Sequence, residues 1–203
     1  MNNNILTLIE TFSEENISLE RKQILDPLTA YIQNNTDKDE TIRLNFICTH
    51  NSRRSHLSQI WAQTMASYFN VKNIFCYSGG TEATALFPKV AETLLKQGFE
   101  IIKLDETKNP IYAIKYAQNE MPIICFSKKY DSDFNPKNNY AAILTCNNAD
   151  VGCPIVIGAE ARFPIKYNDP KEFDNTDLMD EKYAERSLEI AQEFYYIFKN
   201  IKK

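Results

Sequence analysis

An α/β fold, a central and mostly parallel sheet flanked by helices, is predicted by three features of this 203-residue chain. Short apolar runs alternate with segments whose apolar residues recur at helical spacing, which is the pattern of βαβ units. Glycine and proline are few, five and eight, so little of the chain reads as disordered. Apolar residues make up 43% and charged residues 25%, enough for one substantial core.

The first forty residues contain no glycine and read as helix. Ile5, Leu8 and Ile9 lie on one face; Ile24, Leu28, Tyr31 and Ile32 lie on another. Asp26-Pro27 is expected to break or restart the second helix, because proline lacks the amide and crowds the preceding turn. The polar run 34–39 (NNTDKD) reads as a linker. It divides a helical amino-terminal extension, 1–38, from an α/β domain, 39–203, and implies a separable role for the extension.

Residues 44–48 (LNFIC) read as a strand, and Ser55 opens a helix with Leu57, Ile60, Trp61, Met65 and Phe69 inward. Strand 74–78 (IFCYS) ends at Gly79-Gly80. The next helix carries Phe87, Val90, Ala91, Leu94 and Leu95 on its stripe, with Gly98 as its cap. A third strand, 99–104 (FEIIKL), precedes an insertion, 105–140, in which 111–117 and 122–127 form a hairpin about 118–120. Strands 141–146 and 162–167 follow. The last helix begins near 179 and buries Tyr183, Ser187, Ile190, Ala191, Phe194, Ile197, Phe198 and Ile201.

A net charge of −4 supplies no global field for nucleic acid, so an anion must be captured locally. No apolar run approaches the ~18 residues of a membrane span. Met1–Glu20 carries acids and no basic residue, so no secretory signal is expected there. Five cysteines, an odd number, point to thiol chemistry in a reducing compartment, the cytoplasm, and away from a disulfide framework. Cys76 and Cys125 fall within apolar strands and read as inert core residues. Two histidines are too few for an obvious zinc cluster; no metal is expected, and His56 is expected on the solvated side of its helix.

The sharpest feature is the loop Cys48-Thr49-His50-Asn51-Ser52-Arg53-Arg54-Ser55, a C-x5-R-S segment between strand and helix. Main-chain amides of such a loop converge on an anion, and the helix dipole adds partial positive charge. Arg54 can grip two oxygens of a tetrahedral oxyanion with its planar fork. A sulfur at the loop base, Cys48, sits in the same field and is expected as a thiolate nucleophile. Thr49, His50, Asn51, Ser52, Arg53, Arg54 and Ser55 are the candidate anion-binding residues.

This strand–loop–helix resembles that of the low-molecular-weight protein tyrosine phosphatase superfamily, which shares its fold with thioredoxin-coupled arsenate reductases. The resemblance covers about residues 43–200 and makes the expected fold low-molecular-weight phosphatase-like. It implies Cys48 as nucleophile and Arg54 as oxyanion ligand, with Asn51 and Ser55 bracing the loop. His50 stands where that family usually has glycine, and Arg53 where related reductases often have cysteine; Arg53 is expected to add positive charge. Asp169-Pro170 matches the family's downstream acid, which implies proton transfer to or from a reacting oxygen.

The loop alone does not separate phosphate from arsenate, but the later cysteines do. Cys146 and Cys153-Pro154 form a C-x6-C-P segment after a strand, and it resembles the segment carrying the two resolving cysteines of those reductases. A helical 146–153 would hold the two cysteines ~10 Å apart. A disulfide needs Cα atoms ~4.4–6.8 Å apart, so the segment must unwind for them to join. The leading expectation is therefore an arsenate reductase. Cys48, Arg54, Cys146, Cys153 and Asp169 are its catalytic residues, thioredoxin or a similar dithiol its reductant and partner, and no cofactor is bound tightly. The alternative is a phosphatase acting on phosphotyrosine or a smaller phosphomonoester. The aromatic pair usual after the Asp-Pro of tyrosine phosphatases is absent from Lys171-Glu172-Phe173, though Phe173 is a candidate substitute. A third reading is an oxyanion-binding or redox-sensing module without turnover.

Overall fold

A computed structural model describes residues 1–152 and 155–202. Helix α1 (Asn3–Ile9), a 3-10 turn (Glu14–Asn16) and α2 (Leu19–Asp37) precede β1 (Ile42–Cys48). Then come α3 (Arg54–Tyr68), β2 (Ile74–Gly80), α4 (Pro88–Lys96), β3 (Glu100–Lys103), β4 (Tyr112–Lys115) and β5 (Ile123–Cys125). The chain continues through β6 (Tyr140–Leu144), α5 (Asn147–Gly152), β7 (Ala159–Phe163), a second 3-10 turn (Pro170–Phe173) and α6 (Met179–Lys199).

The expected parallel sheet has four strands in the order β2-β1-β6-β7. Its two inner strands, β1 and β6, are buried almost throughout, as strands covered by helices on both faces must be. The chain leaves β1 toward β2 on one side and returns as β6 on the other. The crevice at the carboxyl ends of β1 and β6 is thus a topological switch point, where ligands gather in open α/β sheets.

Run 99–104 departs from expectation. Its strand, β3, pairs antiparallel with β4 and belongs to a separate sheet, β3-β4-β5, with the expected hairpin. Glu100 and Lys103 are exposed, and Ile102 is 54% exposed, a polarity the covered parallel sheet would not tolerate. Run 162–167 is strand only to Phe163, because Pro164 has no amide to donate to the ladder; β7 instead begins three residues early, at Ala159. Leu95, placed on the buried stripe, is 59% exposed.

Pro27 does not break α2, which runs through it. The ring lies on the exposed face of the helix, so the carbonyl deprived of its partner can turn to water. The boundary at 38 is one of chain and not of core: Ile5, Ile9, Ile17, Leu25, Leu28 and Ile32 join one apolar cluster with Leu44, Phe46, Trp61 and Phe194. Arg21 forms a paired contact with Glu193 of α6, at 2.5 and 2.8 Å. Tyr196 donates to Asp26 at 2.6 Å. No helix among the described residues is long and apolar enough to cross a membrane.

Candidate active site

The loop 49–53 leaves β1 at the switch point and enters α3, whose amino-terminal amides and dipole face it. Gly80, opposite Cys48 in the sheet register, permits this turn. A Cβ there would stand 2.6 Å from the Thr49 carbonyl oxygen and 2.7 Å from the Asn51 nitrogen. The left-handed residue is Asn51, at φ 43°, and not His50. Position 50 therefore needs no glycine, and asparagine tolerates the conformation that position 51 requires.

Asn51 braces the loop from within. Its Nδ2 donates to Ser55 Oγ at 2.8 Å, and its Oδ1 accepts from the Lys128 amide at 2.9 Å. Ser55 Oγ lies 3.1 Å from Cys48 Sγ. The His50 carbonyl accepts from Ser127 Oγ at 2.9 Å and Thr84 Oγ1 at 3.2 Å, so the insertion and the segment after β2 both hold the loop. Cys48, His50, Ser52, Arg53, Arg54 and Asp169 line one small cleft.

Arg54 donates to the Tyr167 carbonyl at 3.1 Å and to Asp169 Oδ2 at 2.5 Å, while its buried Nε has no partner among the described residues. The Tyr167 amide in turn donates to the Thr145 carbonyl, which carries the segment after β7 across the carboxyl end of β6 and delivers Asp169 to the cleft. A guanidinium, a sulfur and the amino end of α3 gathered at one cleft suit a tetrahedral oxyanion better than a neutral ligand.

Arg53 lines the cleft but commits its guanidinium elsewhere. Its Nε donates to Tyr183 at 2.6 Å, its Nη2 donates to Asp174 at 2.6 Å, and its guanidinium lies 4.0 Å above the Phe87 ring. Periodicity gives no sign of this, since Asp174 and Tyr183 lie more than a hundred residues away.

Strand register places the second thiol. Ile47 faces Leu144, so Thr49 and Cys146 run on side by side beyond the strand ends. Thr49 Oγ1 is 3.6 Å from Cys146 Sγ, and Cys48 and Cys146 share one apolar cluster with Ile47, Leu144 and Ala149. The Ala149 amide of α5 donates to Cys146 Sγ at 3.3 Å. Asp150 of α5 is clamped by Arg162 and, at 2.6 Å, by Lys166; these cations hold its carboxyl below the usual range. Cys153 and Pro154 lie outside the described residues.

Cys76 and Cys125 are core residues, and burial pushes their thiols up, Cys125 to about 12. His56 is fully buried, not solvated, with Nδ1 3.2 Å from Ser78 Oγ. Burial first, and the nearby Lys128 second, lower it to about 3. Between its ordinary value of about 6.5 and that figure, the unfolded chain binds a proton that the folded chain refuses. Stability should then fall as pH drops from about 6.5 toward about 3, by at most about 1.4 kcal/mol per pH unit. Thermal unfolding followed from pH 7 to 5 should show a shallower slope for His56→Asn than for the parent chain; equal slopes would refute the assignment.

No family model matches the chain. An arsenate reductase of Staphylococcus aureus (strain Newman) is 32% identical over 110 residues, which are 54% of this chain and 63% of that protein. The chain thus spans less than two thirds of the curated relatives it matches. Among solved structures, a low-molecular-weight phosphotyrosine phosphatase of Vibrio cholerae O395 superposes with a TM-score of 0.50 at 14% identity, covering 78% of this chain and 95% of that one. The chain has the low-molecular-weight phosphatase fold. A mutant of YwlE from Bacillus subtilis superposes on this fold with a TM-score of 0.51 at 13% identity, covering 80% of this chain and 99% of that one.

Proposed function

We propose that the chain is a thiol-dependent arsenate reductase of the cytoplasm that uses a dithiol protein of thioredoxin type as its reductant. Cys48 Sγ attacks arsenate held by Arg54 and the loop amides. A sulfur–arsenic bond forms as an oxygen departs, with Asp169 supplying the proton that lets it leave as water. Cys146 Sγ then attacks Cys48 Sγ. The sulfur–arsenic bond breaks, its electron pair stays on arsenic, and arsenite leaves as a Cys48–Cys146 disulfide forms. Cys153 displaces Cys48 from that disulfide, and the external dithiol reduces the resulting Cys146–Cys153 bond.

The observation that carries this reading is the second thiol beside the anion loop, with Cys146 Sγ 3.6 Å from Thr49 Oγ1. A phosphatase needs water at that step, and a thiol there would serve it only to protect Cys48 from irreversible oxidation. The likeness to the Staphylococcus aureus arsenate reductase adds support over 110 residues. Hydrolysis of a phosphomonoester is the second reading, favoured by the fold, since the same loop and acid serve a phosphocysteine. Phe173, the candidate aromatic wall, is half-buried with the Lys182 ammonium 5.8 Å from its ring centre.

Cys146→Ser and Cys153→Ser should each lower thioredoxin-dependent arsenate turnover at least about a hundred-fold. Both should keep aryl-phosphate hydrolysis within about three-fold of the parent. Full arsenate turnover in both variants would refute the relay.

A further inference from the structure

We infer that Arg53 is a positioning residue: it latches the acid-bearing segment onto the anion loop, so that Asp169 stays over the site when Arg54 turns to the oxyanion. The inference rests on the proposed oxyanion chemistry and assigns Arg53 a part different from anion binding.

Two adjacent arginines grip two aspartates five residues apart. Arg54 holds Asp169 at 2.5 Å, and Arg53 holds Asp174 at 2.6 Å. The first contact cannot last through turnover. A tetrahedral oxyanion needs the same guanidinium fork that Asp169 contacts, and a carboxylate and an oxyanion compete for it. If this were the only tie, the arriving anion would free the segment and carry the proton donor away from the departing oxygen.

The second tie does not compete. Arg53, Asp174 and Tyr183 close a triangle: Arg53 Nε donates to the Tyr183 oxygen at 2.6 Å, and Tyr183 donates to Asp174 Oδ1 at 2.6 Å. Burial and this bond raise Tyr183 above its ordinary value, so the phenol keeps the proton it donates. The Arg53 and Asp174 side chains are 11% and 16% exposed, and Tyr183 is fully buried. Phe87 lies against the Arg53 guanidinium, and its amide donates to the Ser52 carbonyl at 3.0 Å. The latch thus joins the loop, α4, α6 and the acid segment. Lysine would keep the charge but lose the fork that reaches Tyr183 and Asp174 together.

The test uses full-length Arg53→Met, Arg53→Lys and Asp174→Asn in three measurements. Amide exchange over 168–176 should quicken at least ten-fold in Arg53→Met and Asp174→Asn, and less in Arg53→Lys. The inorganic phosphate concentration that half-protects Cys48 from iodoacetamide should stay within three-fold of the parent. For aryl phosphates, kcat should fall at least ten-fold more for phenyl phosphate, whose leaving oxygen needs a proton, than for the ester of a strongly acidic phenol. A merely structural defect would lower both esters alike. Unchanged exchange, equal losses on the two esters, or a ten-fold rise in the protecting phosphate concentration would each overturn the latch. Failure of phosphate to protect Cys48 in the parent chain would instead refute the oxyanion reading, and the exchange measurement would still judge the latch.

Discussion

Cys48→Ser is expected to abolish both arsenate reduction and aryl-phosphate hydrolysis, each by about a thousand-fold or more, in a protein that folds as before. The side chain sits at the end of β1, 3% exposed, with Ser55 Oγ 3.1 Å from its sulfur. An oxygen fits this space and keeps the bond to Ser55, so neither β1 nor the loop has reason to move. The change removes nucleophilicity: a serine hydroxyl carries almost no anion at neutral pH, and its neighbour Ser55, itself held by Asn51 Nδ2, is no base. Oxyanion binding should persist, because Arg54 and the loop amides are untouched. Phosphate binding by titration calorimetry within about three-fold of the parent, beside kcat lost for both reactions, is the expected pair of results. Arg54→Lys should show the converse, weak phosphate binding with the thiol intact, since a point charge does not replace the fork. Turnover above a tenth of the parent's in Cys48→Ser would mean that another group attacks, with Cys146, across Thr49, a candidate sulfur.

The legible parts of this site are those that local chemistry dictates. Strand 44–48, the C-x5-R-S turn and the helix from 55 are contiguous, so their spacing alone brings sulfur, amides and guanidinium together. The α6 stripe was equally plain: Tyr183, Ser187, Ile190, Ala191, Phe194, Ile197 and Phe198 are all buried. Partners distant in sequence were not legible. Periodicity shows that Ile5, Leu28 and Ile32 need a buried face but not which surface supplies it, and so the amino-terminal helices read as an extension. For the same reason Arg53 read as a loop cation, with Asp174 and Tyr183 more than a hundred residues away. The sequence also conceals which sheet takes a short apolar run, as β3 illustrates, and whether a helical histidine such as His56 faces solvent or core.

Removal of residues 1–38 should leave a chain that does not fold cooperatively. The deletion strips Ile5, Ile9, Ile17, Leu25, Leu28 and Ile32 from the core, each 7% exposed or less. At about 1.5–3 kcal/mol for each buried side chain, the gross loss is about 9–18 kcal/mol. Compactness of the unfolded chain trims that figure, but a typical domain has only about 5–15 kcal/mol in all. The same cut removes Arg21, the ion-pair partner of Glu193 of α6, 3% exposed, and breaking a buried pair costs several kcal/mol more. It also reaches the site. Arg21 lies 5.0 Å from the centre of the Tyr167 ring, and the Tyr167 carbonyl is one of the two acceptors that orient Arg54. Arg21→Met, which spares the apolar contacts, should therefore lower both the unfolding temperature and oxyanion affinity, the latter by about three- to ten-fold if Tyr167 shifts. Circular dichroism on 39–203 decides the larger question. A broad, non-cooperative melt without hydrolysis or reduction is expected, and a sharp transition with activity retained would restore residue 38 as a true domain boundary.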